Sequence, residues 1–182
     1  MTGALNAKTR RAVLQIAEWQ EGVVEMPSNS NKVKYNTAYY GREVSGRAYP
    51  WCMTFVWWVF REAGFSLYKT ASCTAFVNRY RVYAPRQIVT SGFRPGDIVF
   101  FDFSGSRKKT EHVGIVAGGS AMVPRFSFYF QQFAGLPELQ RHCRNFHERD
   151  GIANQITREY ERPPHSVTLR GGFVMPDQDT PA

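Results

Sequence analysis

The chain lacks long apolar runs and is poor in cysteine, and each shortage removes a class of protein. In 182 residues the strongest apolar stretch begins at Trp51 and is cut by Arg61 and Glu62, well short of a bilayer span. The opening Met1-Thr2-Gly3-Ala4-Leu5-Asn6-Ala7-Lys8 has no apolar core of the kind a signal peptide needs. Three cysteines, Cys52, Cys73 and Cys143, are too few and odd in number for a disulfide framework, so at least one thiol is free. Cys143 lies near His142 and His147, but the paired CxxC or HxxxH spacing of a zinc site is missing, and no metal or cofactor is expected. There is no internal repeat. Acidic residues are outnumbered, 15 against 23 Lys and Arg, which gives a net charge of +8 and a general attraction to polyanions. The basic residues are scattered (Arg10-Arg11, Arg79, Arg81, Arg107-Lys108-Lys109, Arg158, Arg162), and no helix-turn-helix, zinc-finger or ribonucleoprotein motif accompanies them, so nucleic acid is not the expected partner.

What is present is enough apolar material for one core: 43% hydrophobic and 15% aromatic residues. A single domain over 1–176 with a disordered tail at 177–182 is expected. Residues 7–21 have an amphipathic helical pattern, with Val13, Ile16, Ala17 and Gln20 on one face and Gly22 as the stop. Residues 26–49 read as loop. A helix starting at Cys52 runs to Ala63 and stops at Gly64, and Ser72 caps another from Cys73 to about Tyr83, ended by Pro85. Strands follow at 98–103 and 112–117, separated by a polar, basic loop. Beyond Gly118-Gly119 the pattern weakens. Residues 125–133 alternate like a strand, 118–151 form an atypical excursion, and short closing strands are expected at 155–161 and 172–175. Helices first and antiparallel strands second predict an α+β fold with the helices packed on a small sheet.

One stretch carries chemistry. In Tyr49-Pro50-Trp51-Cys52-Met53-Thr54 a cysteine sits where a proline-ended loop turns into an apolar helix. The positive end of the helix dipole and the first unpaired N–H groups favour a thiolate there, and the same donors can hold an oxyanion. His112 opens a strand sixty residues later, in Glu111-His112-Val113-Gly114-Ile115-Val116. A buried structural thiol is the ordinary fate of a free cysteine. The helix start combined with the histidine selects Cys52 as nucleophile and His112 as general base and acid, a papain-like arrangement. Cys73 also follows a helix start, but it has no histidine in this pattern and is read as core.

These residues resemble the CHAP family, the cysteine- and histidine-dependent amidohydrolase/peptidases related to NlpC-type cell-wall hydrolases. The pieces that carry the resemblance are Asn29-Ser30-Asn31-Lys32, Tyr35-Asn36, Tyr40-Gly41, Pro50-Trp51-Cys52 with Phe55-Val56 and Trp58, Ala63-Gly64 and Thr70-Ala71-Ser72-Cys73-Thr74. Pro95-Gly96-Asp97-Ile98-Val99-Phe100-Phe101 and the His112 strand continue the series, which covers about 12–117 and resumes loosely over 153–176. The resemblance implies a papain-like α+β fold and hydrolysis of an amide bond in peptidoglycan, as an endolysin-like amidase or endopeptidase.

In the family a carboxylate or amide on the strand after the histidine strand orients the imidazole. Here that position holds Gln131, with Glu148 as second choice and Asn154 as third. Tyr40 matches an upstream tyrosine of the NlpC-type relatives and is a candidate oxyanion donor, with a packed loop tyrosine as its alternative. Trp51 is a candidate wall of the substrate cleft, with a core aromatic as the alternative. Some CHAP domains carry an Asp-rich calcium loop before the cysteine. Glu43 is the sole acid between Asn29 and Cys52, so no calcium is expected. The implied partners are peptidoglycan and anionic wall polymers, met by a monomer without a membrane anchor. Without a signal peptide the protein is expected to be made in the cytoplasm and released by phage-type lysis, or to be one domain of a larger secreted or virion protein. Two other classes use the same features: a thiol acyltransferase with this dyad, and a non-catalytic wall-binding module.

Overall fold

The computed structural model describes residues 5–89, 92–102, 108–120, 123–129, 157–160 and 166–169. Helix α1, Ala7–Glu18, is capped by Asn6, whose side chain accepts from the Thr9 N–H at 2.9 Å, and it buries Val13 and Ala17. It ends three residues before the expected last helical residue, Glu21. Beyond Glu18 the bonds tighten to i→i−3, with Gln20 N–H on Ala17, Glu21 on Glu18 and Val23 on Gln20, which unwinds the α-helix before Gly22. The segment read as loop contains a short helix, α2, Lys34–Tyr40, ended by Gly41 at φ +69°. Its seven residues are too few to signal a period, and Tyr35, fully buried, anchors it from tertiary contact.

Helix α3, Cys52–Glu62, ends as expected at Gly64. The Gly64 N–H bonds Arg61 and the Phe65 N–H bonds Phe60, a Schellman pair that satisfies two terminal carbonyls. Helix α4, Cys73–Tyr83, is capped by Ser72, whose hydroxyl accepts from the Ala75 N–H at 3.2 Å. A 3₁₀ turn, Pro85–Gln87, follows.

The strands are β1 (Ile88–Val89), β2 (Ile98–Phe101), β3 (His112–Ser120), β4 (Val123–Tyr129), β5 (Thr157–Tyr160) and β6 (Ser166–Leu169). They form one sheet in the order β1-β6-β2-β3-β4-β5, antiparallel throughout. The first part of the expected excursion is therefore sheet: β3 runs on to Ser120 and returns as β4. The last described strand, Ser166–Leu169, was not expected from the sequence, and the strand expected at 172–175 falls outside the described residues. Strand β1 has only two residues and left no pattern in the sequence.

Helix α3 is the centre of the molecule, packed against α1, α2 and β3. Ile98, Phe100, Val113 and Ile115 join Met53, Phe55, Val56, Val59, Phe60, Phe76 and Tyr80 in one core. Phe76 of α4 stacks on Phe100 of β2 with ring centroids 5.5 Å apart. Each such side chain contributes roughly 1.5–3 kcal/mol by burial. The turn entering β2 is locked to α1: Arg10 Nη1 donates to Asp97 Oδ1 at 2.8 Å and to the Pro95 carbonyl at 2.7 Å. Asp97 is fully buried and also accepts from the Arg94 N–H. The architecture is the expected α+β one, with helices on an antiparallel sheet, the cysteine opening a helix and the histidine opening a strand.

Candidate active site

The loop that delivers Cys52 is held by one buried amide. Asn36 of α2 donates from Nδ2 to the carbonyls of Asn31 (2.8 Å) and Tyr49 (2.9 Å). Its Oδ1 accepts from the Thr54 hydroxyl of α3 at 2.7 Å. A single fully buried side chain thus ties the loop before the cysteine to the first turn of the cysteine's helix. Asn31 continues the network, donating to the Gly46 carbonyl at 3.0 Å, and its own N–H bonds Glu25. Asn31 sits at φ +57°, a left-handed conformation that asparagine tolerates better than other non-glycine residues.

Trp51 precedes α3 but does not cap it with its side chain, and the first turn carries no acid. The starts of α1 and α4, by contrast, are capped by Asn6 and Ser72. At α3 the sulfur of Cys52 itself takes up a first-turn donor, the Met53 N–H. A thiolate there is the anion that the helix end calls for.

Three elements meet at this sulfur. Cys52 is buried on α3, His112 is buried at the first position of β3, paired with Phe101 of β2, and Cys73 is buried at the first position of α4. The Cys52 and Cys73 sulfurs are 3.8 Å apart and both are free thiols. The His112 imidazole lies within hydrogen-bonding reach of the Cys52 sulfur. The Cys52 thiol is held well below its ordinary range, first by the hydrogen bond it shares with Cys73, then by the hydrogen bond and charge of His112 and by the Met53 N–H. Burial opposes these effects and is outweighed. Cys73 is pushed well above its ordinary range by the bond it shares with Cys52, by burial and by the charge of Cys52. The two thiols are thus shifted in opposite directions, Cys52 down and Cys73 up.

The dyad expected from the sequence is brought together. The other expected residues fare differently. Tyr40, at the end of α2, is half-buried and packs edge-on against Tyr49, 5.2 Å between ring centroids. Burial and then Tyr49 raise its hydroxyl, so it stays neutral and able to donate. Trp51 is 3% exposed and stacks on Tyr35 with ring centroids 5.6 Å apart, a packing that fits its core alternative. Gln131, Glu148 and Asn154 lie outside the described residues, as do His142, Cys143 and His147. No group of three or more potential metal ligands occurs among the described residues, and no helix among them is long and apolar enough to cross a membrane. The sequence reading missed the Cys52–Cys73 contact. The one available signal was that both cysteines open helices behind a loop.

The CHAP domain model matches residues 44–124 of the chain. The upstream Asn29–Gly41 motifs thus fall outside the matched stretch, although Asn36 and Asn31 hold its loop in place. No curated protein sequence matches. Among solved structures the chain is similar to one described as similar to lipoprotein, of the NLP/P60 family, from Staphylococcus aureus subsp. aureus Mu50. Identity is 15% and the TM-score 0.40, over 76% of this chain and 41% of that one. Over residues 44–124, the stretch that holds both Cys52 and His112, the chain matches the CHAP domain, a cell-wall hydrolase family, and the resemblance carried by its motifs is borne out.

Proposed function

We propose that the protein is a cysteine amidohydrolase or peptidase that cleaves an amide bond of peptidoglycan. The observation that carries this reading is the Cys52 sulfur at the start of α3 with the His112 imidazole beside it, a pairing that lowers the thiol. His112 takes the thiol proton, and the thiolate attacks the amide carbonyl to give a tetrahedral oxyanion. Main-chain N–H groups at the start of α3 receive that charge, with the Tyr40 hydroxyl as a further donor. The imidazolium gives its proton to the leaving amine, and the C–N bond breaks to leave an acyl-enzyme. Water, deprotonated by His112, then releases the acid and restores the thiolate. Gln131, with Glu148 as second choice, is the proposed orienter of the imidazole. The domain is proposed to span 1–176 and to act as a monomer on the wall after release from the cytoplasm, with its net charge of +8 drawing it to anionic wall polymers.

Purified peptidoglycan tests the reading. Wild type should clear it and release muropeptides whose masses and new termini identify the bond cut, and Cys52→Ala should bind without clearing. Equal clearing by both proteins would remove Cys52 from the chemistry. Binding without clearing by both would leave a wall-binding module, and products carrying an added amine donor would indicate acyl transfer.

A further inference from the structure

Cys73 takes no part in the reaction just described, yet its sulfur lies 3.8 Å from the Cys52 sulfur inside the core. Its placement is built. Ser72 caps α4, and Thr74 is clamped to the residue two before His112: the Thr74 hydroxyl donates to the Thr110 carbonyl (3.2 Å) and accepts from the Thr110 N–H (3.0 Å). The start of α4 is thereby fixed to the approach of β3, and Cys73 reaches the sulfur from a third element, apart from α3 and β3. We propose that Cys73 is a positioning residue for Cys52, its buried S–H donating to the Cys52 sulfur and holding it as the attacking anion. The proposal rests on Cys52 being the nucleophile.

The two sulfurs, 3.8 Å apart, sit in unequal surroundings, which favours a bond from Cys73 to Cys52. The His112 imidazole and the Met53 N–H act on Cys52, whereas the bond and the charge from Cys52 both keep the proton on Cys73. The titratable groups facing Cys52 among the described residues are His112 from β3 and Cys73 from α4, and the first turn of α3 has no acid. The benefit outweighs the cost. Each unit by which a thiol is lowered, while still above the ambient pH, raises the thiolate fraction about tenfold and costs about threefold in intrinsic nucleophilicity. His112 gives its proton to the leaving amine and takes one back from water in deacylation, whereas Cys73 keeps its proton throughout and donates to the sulfur in whichever state the ring is.

The test reads the ionisation of Cys52 directly, by thiolate absorbance near 240 nm and by the pH dependence of iodoacetamide labelling on the Cys52 peptide. In wild type, Cys52 should label with a midpoint well below that of an ordinary thiol, while Cys73 resists until far higher pH. In Cys73→Ala the Cys52 midpoint should rise by about one pH unit, with about tenfold slower labelling below it. Cys73→Ser, which keeps a donor of similar size, should restore most of the difference. A midpoint unmoved in Cys73→Ala, or moved equally in both variants, would show a packing role only and overturn the proposal. Should Cys73→Ala fail to fold, the wild-type measurement still decides: equal labelling of Cys52 and Cys73 at one pH would end it. Wild type inactive on peptidoglycan but showing the midpoint shift would sink the proposed function and leave this pairing standing. Activity with no shift would do the reverse.

Discussion

At Cys52 two tendencies oppose each other. Burial in the core favours a neutral thiol, while Cys73, His112 and the first-turn N–H of α3 favour the anion, and the three together win. The pH dependence has a definite sign. The thiolate is complete above a midpoint well below the ordinary thiol range and is lost as pH falls through it. Labelling of Cys52 should therefore reach its plateau at a lower pH than labelling of an ordinary thiol, and a midpoint at or above the ordinary thiol range would contradict the account. Replacing His112 by Ala removes both a hydrogen bond and a charge from the sulfur. The midpoint should move toward the ordinary thiol value and peptidoglycan clearing should fall by at least about 1,000-fold. Retained clearing in that variant would detach the imidazole from the reaction. Cys52 and His112 were legible in the sequence because each opens an element with a recognisable signal, a proline-ended loop and an apolar strand. The role of Cys73 was not, because the contact joins two helix starts 21 residues apart and no local pattern encodes it.

At the scale of elements, the helix ends that carry a capping residue were the readable ones. Gly64 closes α3 and Ser72 opens α4 where the sequence placed them, since both act within a few residues of chain. The same locality explains the misses. α2 is held by the burial of Tyr35 and Asn36 and not by its own seven residues, and the exit of α1 is set by a 3₁₀ tightening with no stop residue before Gly22. Register along the late strands comes from partners far away in the chain, so β6, which pairs with β1 and β2, left no readable signal in the sequence. Asn36 is the element-level joint of the site. Asn36→Ala leaves the Asn31 and Tyr49 carbonyls and the Thr54 hydroxyl without that partner in the core. It should cost about 2–3 kcal/mol in chemical unfolding and lower activity beyond the loss in folded protein. A change within about 0.5 kcal/mol would show that the loop before Cys52 is held by other means.

For the molecule as a whole, one buried carboxylate joins the first helix to the sheet. Arg10→Ala leaves Asp97 buried without its cation and should destabilise the fold by about 3 kcal/mol, read as a lower denaturant midpoint. Gly96 lies against Arg10 at φ +84°, where an added methyl would meet the Arg10 side chain at 3.3 Å, so the turn and the ion pair form one unit. The charge of +8 acts at longer range. Cosedimentation with isolated wall should weaken severalfold between low and high salt, because screening shortens the reach of exposed charge to about 3 Å at 1 M. Salt-independent binding would assign the affinity to specific contacts instead. All of this serves one sulfur, and one measurement tests it most directly. The folded protein is treated at neutral pH with a single equivalent of iodoacetamide, the adduct is located by mass spectrometry, and the remaining peptidoglycan clearing is assayed on the same sample. The account predicts one adduct, on Cys52, with activity lost in proportion to labelling. Full activity in the fully labelled enzyme, or labelling of Cys73 or Cys143 in preference to Cys52, would contradict it.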